Sequence, residues 1–154
     1  MEKIKDIMSK KSVVFKEDSS IKDISKKMGK IDVGCAVVVR KSKPVGIITE
    51  RDIVKRVVAK DLDVYKTRAK DIMTSPVETI NPEANIYYVA KIMKEKGYKR
   101  YPVAKNGKYV GLVTQGDLIN YFTEQRRKFV LKNLSKKIKN KYVWLTKITR
   151  NFSS

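Results

Sequence analysis

The chain has 154 residues, 42% of them hydrophobic, enough to bury one sizeable core, and its 36 Lys and Arg against 16 Asp and Glu give a formal charge of +20. It has no histidine and a single cysteine, Cys35, which removes the usual general base, the commonest metal ligand and any internal disulfide, and argues against zinc or catalytic-triad chemistry. No apolar run approaches the roughly 20 residues that span a bilayer, and the N-terminal stretch is too charged for a signal peptide, so a soluble, cytoplasmic protein is expected.

Taken in chain order, Val13-Val14-Phe15 reads as a short strand, and Ile21, Ile24 and Met28 fall at helical spacing behind the start signal Ser19-Ser20. Two β-branched runs follow, Cys35 to Arg40 and Val45 to Thr49, separated by the turn pattern Lys41-Ser42-Lys43-Pro44. Cys35 is either a small strand residue or a reactive thiol. Asp52, Ile53, Val54 and Val57 open a second helix, and the polar residues 58–69 lead into a similar series. That series predicts a strand over Val77 to Ile80, a helix carrying Ile86, Val89, Ala90 and Met93, and a strand from Tyr101 to Ala104. A primed turn at Asn106-Gly107, a strand over Tyr109 to Thr114 and a helix from about Asp117 complete it. Both series read strand, helix, strand, strand, helix, an α/β (α+β) class.

The likeness of the two series extends to the residues. Lys5-Asp6-Ile7-Met8-Ser9 returns as Lys70-Asp71-Ile72-Met73-Thr74, and one gapless offset pairs Ile21 with Ile86, Met28 with Met93, Val38 with Val103, Gly46 with Gly111, Thr49 with Thr114 and Asp52 with Asp117. The chain is an internal duplication, and halves of about 60 residues are marginal alone, so they are expected to pack together.

The duplication repeats Gly-hydrophobic-hydrophobic-Thr-x-x-Asp at a strand-to-helix junction. The threonine hydroxyl can cap the first turn while the acid sits favourably at the helix N-terminus. The same junction suits a nucleotide, because free amides attract phosphate and an acid can accept hydrogen bonds from both ribose hydroxyls. Arg51 lies inside the first motif and can pair bidentately with phosphate, and Lys99-Arg100 precedes a strand in the second half, although Lys99 among so many lysines also suits a solvated role.

With Arg100-Tyr101-Pro102-Val103 added to the paired Lys-Asp-Ile-Met starts and the two Thr-x-x-Asp motifs, residues 1–124 resemble a tandem cystathionine β-synthase (CBS) domain pair, as in stand-alone CBS proteins. The resemblance implies two βαββα repeats, residues 1–60 and 61–125, about a pseudo-twofold axis, with a basic, helical extension over 126–154. It further implies a regulatory protein rather than an enzyme, one that dimerises, binds AMP, ADP, ATP or S-adenosylmethionine in clefts between the repeats, and modulates a separate protein target. One cleft would use Thr49, Arg51 and Asp52 with Pro76, Val77 and Glu78 and the approach to Tyr101, where Lys99 and Arg100 reach phosphate. The other would use Thr114 and Asp117 with Lys11, Ser12, Val13, Gly34 and Cys35. Because Gln115-Gly116 replaces Glu50-Arg51 and Gly34-Cys35 replaces Lys99-Arg100, the Thr49 cleft is expected to bind more strongly.

The helix from Asp117 has two candidate ends, since Leu118, Phe122, Phe129, Val130, Leu134 and Ile138 keep a rough helical spacing that either runs on or breaks near Arg126. After Glu124 there are ten basic residues and no acid, with Tyr142-Val143-Trp144-Leu145 among them. This tail can pack on the repeats or a second subunit, bind DNA or RNA, or form a basic amphipathic helix at a membrane surface or partner. For nucleic acid, the candidate contacts are Arg126, Arg127, Lys128, Lys132, Lys136, Lys137, Lys139 and Lys141, with Tyr142 and Trp144 for stacking.

Overall fold

The computed structural model describes residues 2–133. It falls into two compact units, Met1–Asp117 and a second beginning at Leu118. The first unit contains β1 (Val13–Lys16), α1 (Ile21–Ile31), β2 (Cys35–Arg40), β3 (Lys43–Thr49) and α2 (Glu50–Arg56), then α3 (Ala69–Ile72), α4 (Ile86–Lys96), β4 (Arg100–Lys105) and β5 (Lys108–Thr114). A last helix, α5 (Gln115–Asn133), begins in this unit and makes up the described part of the second.

Local chemistry explains these boundaries. Helix α1 starts where Ser20 accepts the amide of Asp23 at 3.1 Å and donates to its carboxylate at 2.7 Å, and α4 starts where Asn85 accepts the amides of Tyr87 and Tyr88. Ile21, Ile24 and Met28 on α1, and Ile86, Val89 and Met93 on α4, form the buried stripes that the spacing predicts. Strand β2 pairs in parallel with β1 and antiparallel with β3, while β4 pairs antiparallel with β5. Both hairpins close on two residues with positive φ: Asn106 and Gly107, and also Lys41 and Ser42, where no glycine marks the turn.

Val77 to Ile80 does not form the predicted strand. Only Ile80 bridges to β4, through its amide to the Pro102 carbonyl and its carbonyl to the Ala104 amide. The next ladder bond would need an N–H at residue 102, and proline has none. Val37 holds the equivalent place in β2, and there the ladder onto β1 continues from Val13 to Lys16. Pro102 thus leaves Val77 and Glu78 outside any ladder.

The two halves exchange their leading segments. The turn Ile4–Asp6 docks on the second half, with Ile4 and Lys5 amides on the carbonyls of Ala84 and Pro82, while α3 docks on the first, with Ala69 and Lys70 amides on the carbonyls of Ser19 and Glu17. The ion pairs repeat this symmetry: Lys5 with Glu83 at 2.9 Å, and Lys70 with Asp18 at 2.6 Å. Farther along, Ser9 pairs reciprocally with Leu112 on β5, and Thr74 with Ile47 on β3. Gly46 and Gly111 leave room for this crossing, since a Cβ on Gly111 would lie 2.9 Å from the Ser9 carbonyl oxygen and one on Gly46 would collide with the Met73 sulfur. Between the halves, Cys35 and Val37 of β2 pack with Leu112 of β5.

Helix α5 runs through Arg126 without a break, and no helix among the described residues is long and apolar enough to cross a membrane.

Candidate functional site

At the first Thr-x-x-Asp motif the sequence folds into a double cap. The Thr49 hydroxyl accepts the Asp52 amide at 3.2 Å and donates to Asp52 Oδ2 at 2.7 Å, and the same oxygen accepts the Thr49 amide at 2.8 Å. Asp52 Oδ1 faces the Arg56 guanidinium at 3.4 Å. The second motif repeats the arrangement at Thr114 and Asp117, with bonds of 2.7, 2.8 and 3.2 Å. As caps the two junctions are equivalent. Helix α2 has only seven residues, so nearby side chains rather than the helix end must supply most of any attraction for an anion.

Their surroundings are not equivalent. Beside Thr49 and Asp52 opens a cavity of about 650 Å³, well within the range of small-molecule sites. Its walls bring Thr49, Arg51 and Asp52 of the first half together with Pro76, Val77, Glu78, Lys99 and Arg100 of the second. Arg51 and Lys99 are exposed, whereas half-buried Arg100 donates to the Gly34 carbonyl at 3.2 Å. That carbonyl also accepts the Glu50 amide at 3.3 Å. Glu78 is engaged by Lys96 at 2.5 Å.

The wall departs from the sequence reading at Gly34 and Tyr98, and Ile47, Glu50, Thr74 and Gly97 line it as well. Gly34, expected in the other cleft, lines this one, because Arg100 reaches across to its carbonyl. Tyr98 also lines the cavity and was not singled out, although it stands one residue before Lys99 where the first half has Val33. Its ring lies 5.6 Å from that of Tyr101 at 57°.

Comparison with known proteins identifies the family and the fold. The family model for the CBS domain matches twice, over residues 4–59 and 69–124. The chain belongs to the CBS-domain family. It is 38% identical over 99 residues to an uncharacterized protein of Methanopyrus kandleri, MK0525, covering 63% of this chain and 50% of that relative's length. Among solved structures, the CBS domain protein NE2398 superposes with a TM-score of 0.73 at 28% identity, over 80% of this chain and 99% of that one. The CBS domain pair of protein MJ0100, determined with 5′-methylthioadenosine and S-adenosyl-L-methionine, gives a TM-score of 0.71 at 29% identity, over 81% and 98%.

In the second CBS repeat, the Thr114 junction has different neighbours. Gln115 and Gly116 replace Glu50 and Arg51, and the Gln115 side chain reaches the Tyr98 carbonyl at 3.4 Å. Of the residues expected beside this junction, Val13 is 2% exposed and its side chain belongs to the core beneath α1. Cys35 is buried in the cluster between the repeats, and burial pushes its thiol pKa up, so the structure favours a packing role over a reactive one. The Tyr109 ring packs on that same cluster and its hydroxyl bonds Ser12 at 2.6 Å.

On α5, both arms of the Arg127 fork are held by Glu124 at 2.8 Å, and Arg126 lies 5.8 Å from the Phe129 ring. Lys128 and Lys132, four residues apart on one helix face, are exposed. Lys136, Lys137, Lys139, Lys141, Tyr142 and Trp144 lie outside the described residues.

Proposed function

We propose that this protein is a regulatory adenosine-ligand sensor that binds its ligand in the Thr49 cavity and passes the occupied state to a partner. The observation that carries this reading is the convergence in one cavity of a ribose-type acid, Asp52, an unladdered backbone stretch at Val77 and Glu78, and the cations Arg51, Lys99 and Arg100. Asp52 would accept the ribose hydroxyls with Thr49 beside it, and the cations would meet phosphate. MJ0100, whose CBS pair holds two adenosine derivatives, supports this ligand class for the fold.

The same cations favour AMP, ADP or ATP over S-adenosylmethionine, since of the three acids in the wall Glu78 and Asp52 are already engaged by Lys96 and Arg56, which leaves Glu50 against Arg51, Lys99 and Arg100. The Thr114 junction, with Gln115-Gly116 and buried Cys35 in place of Glu50-Arg51 and Arg100, is the weaker site. Calorimetric titration with AMP, ADP, ATP and S-adenosylmethionine tests the reading. A dominant site lost in Asp52→Ala supports it, and no binding of any of the four would reduce both motifs to helix caps.

Regulation requires that the ligand bind two states of the protein unequally, and a second copy of the chain is the partner we infer for that change. Val54 on α2 and the nearby Val58 are 58% and 61% exposed, an apolar surface suited to self-association, which sedimentation with and without nucleotide would reveal. The alternative function, binding of DNA or RNA, is favoured by the ten basic residues after Glu124 and the exposed pair Lys128 and Lys132. Affinity for nucleic acid that falls steeply with salt and is lost on deletion of residues 127–154 would establish it.

A further inference from the structure

We propose that Arg56 is a positioning residue of the Thr49 cavity, compensating the charge of Asp52 from outside the cavity and tying that acid to the segment that leads into the opposite wall. The inference rests on the nucleotide reading above and adds to it a residue through which Asp52 acts.

Arg56 does not line the cavity, yet its guanidinium touches three groups that bear on it. One arm donates to the Ile72 carbonyl at 2.6 Å, at the end of α3, where a helix leaves its last carbonyls without partners of its own. The other arm donates to the Thr74 hydroxyl at 3.2 Å and faces Asp52 Oδ1 at 3.4 Å. Thr74 itself lines the cavity, two residues before Pro76. A guanidinium presents its donors in a rigid planar fork, so one side chain sets α2, Asp52 and the entry to Pro76-Val77-Glu78 relative to one another.

The contact matters for the oxygen that a ribose would use. Asp52 Oδ2 already accepts the Thr49 amide and hydroxyl, which leaves Oδ1 for the ribose hydroxyls. A ligand seated there takes water from a carboxylate whose side chain is only 15% exposed, and a charge so covered is costly without a counter-charge. Arg56 supplies that counter-charge without occupying the cavity, and Arg51, Lys99 and Arg100 remain for phosphate. The Thr114 junction lacks the pair at this spacing: four residues after Asp117 stands Tyr121, which carries no charge.

The test compares wild type, Arg56→Gln and Arg56→Met in calorimetric titration with AMP and with 2′,3′-dideoxyadenosine monophosphate, which keeps base and phosphate and lacks both ribose hydroxyls. Thermal unfolding without nucleotide shows which variants fold. We expect the wild type to prefer AMP, and each folded variant to bind AMP about 3- to 10-fold more weakly while its affinity for the dideoxy nucleotide changes less than about twofold. A merely structural role would weaken both nucleotides alike, and that result, or an unchanged affinity for AMP, overturns the inference. Failure of both variants to fold also overturns it, since Arg56 would then serve the fold rather than the ligand. A wild type that binds AMP without preferring it to the dideoxy nucleotide removes the ribose role of Asp52, and this inference with it. A wild type that binds neither overturns the nucleotide reading itself.

Discussion

The junctions at Thr49 and Thr114 carry the same cap, bond for bond, and beside the first a cavity wall gathers cations and tyrosines from the other repeat. The difference lies in what each repeat presents to the other. The second repeat offers Glu78, Tyr98, Lys99, Arg100 and Tyr101 to the cavity beside the first junction, whereas the positions equivalent to them by the offset in the first repeat are Val13, Val33, Gly34, Cys35 and Ala36, and of these Val13, Cys35 and Ala36 are buried in core clusters. The cap secures the helix start, and its neighbours decide whether a ligand is held there.

The strongest way to break this comparison is to remove each acid in turn. Asp52→Ala should weaken nucleotide binding by about 30-fold or more, the value of a charge-assisted pair of hydrogen bonds, while Asp117→Ala should leave the dominant affinity intact. Each variant should also lose about 1 kcal/mol of stability through its cap, so melting curves would shift alike while calorimetric affinities diverge. Two equal affinities in the wild type would end the asymmetry.

The glycines of the crossing distinguish the repeats on another ground. In Gly111→Ala the new methyl meets a backbone carbonyl, whereas in Gly46→Ala it meets the Met73 side chain, which has rotamers to yield. We expect Gly111→Ala to cost about 1–3 kcal/mol, as overpacking does, and Gly46→Ala to cost less, by denaturant titration. Next in size, Arg51→Ala should weaken ATP binding about fivefold at low salt, less as salt screens the exposed charge. The paired change Gln115→Glu with Gly116→Arg should in turn strengthen the second site.

The smallest effect is on pH. Hydrogen bonds first from Lys3 and then from Lys5 hold Glu83 down to about 2, and Lys70 holds Asp18 below its ordinary value in the same way. A carboxyl depressed in the folded state stabilises the protein above its unfolded pKa, and that contribution fades as pH falls through the folded value. The melting temperatures of wild type and Glu83→Gln should therefore differ at pH 6 and converge as pH approaches 2.

The duplication, the two caps and most of the Thr49 wall were legible because each rests on local residue chemistry at a fixed offset. Gly34 was misplaced because its role depends on Arg100 reaching across from the other repeat, which no local pattern encodes. The strand over Val77 to Ile80 failed because its ladder depends on residue 102, and the β-branched look of the segment says nothing of a proline in its partner. Lys41-Ser42 closed a two-residue turn that glycine-based rules do not flag, while α5 simply followed its spacing past Arg126.

The exchange of leading segments has a bearing on the history of such a chain. Residues Ile4–Asp6 complete the second repeat and Ala69–Ile72 complete the first, so a lone repeat could satisfy these contacts only by lending its arm to another copy and borrowing one in return. An ancestor with one repeat would have been a reciprocal pair of identical chains, with two identical junctions. Joining the copies in one polypeptide freed each position to change without changing its twin, and Arg100 facing Cys35 across the offset is a record of that freedom.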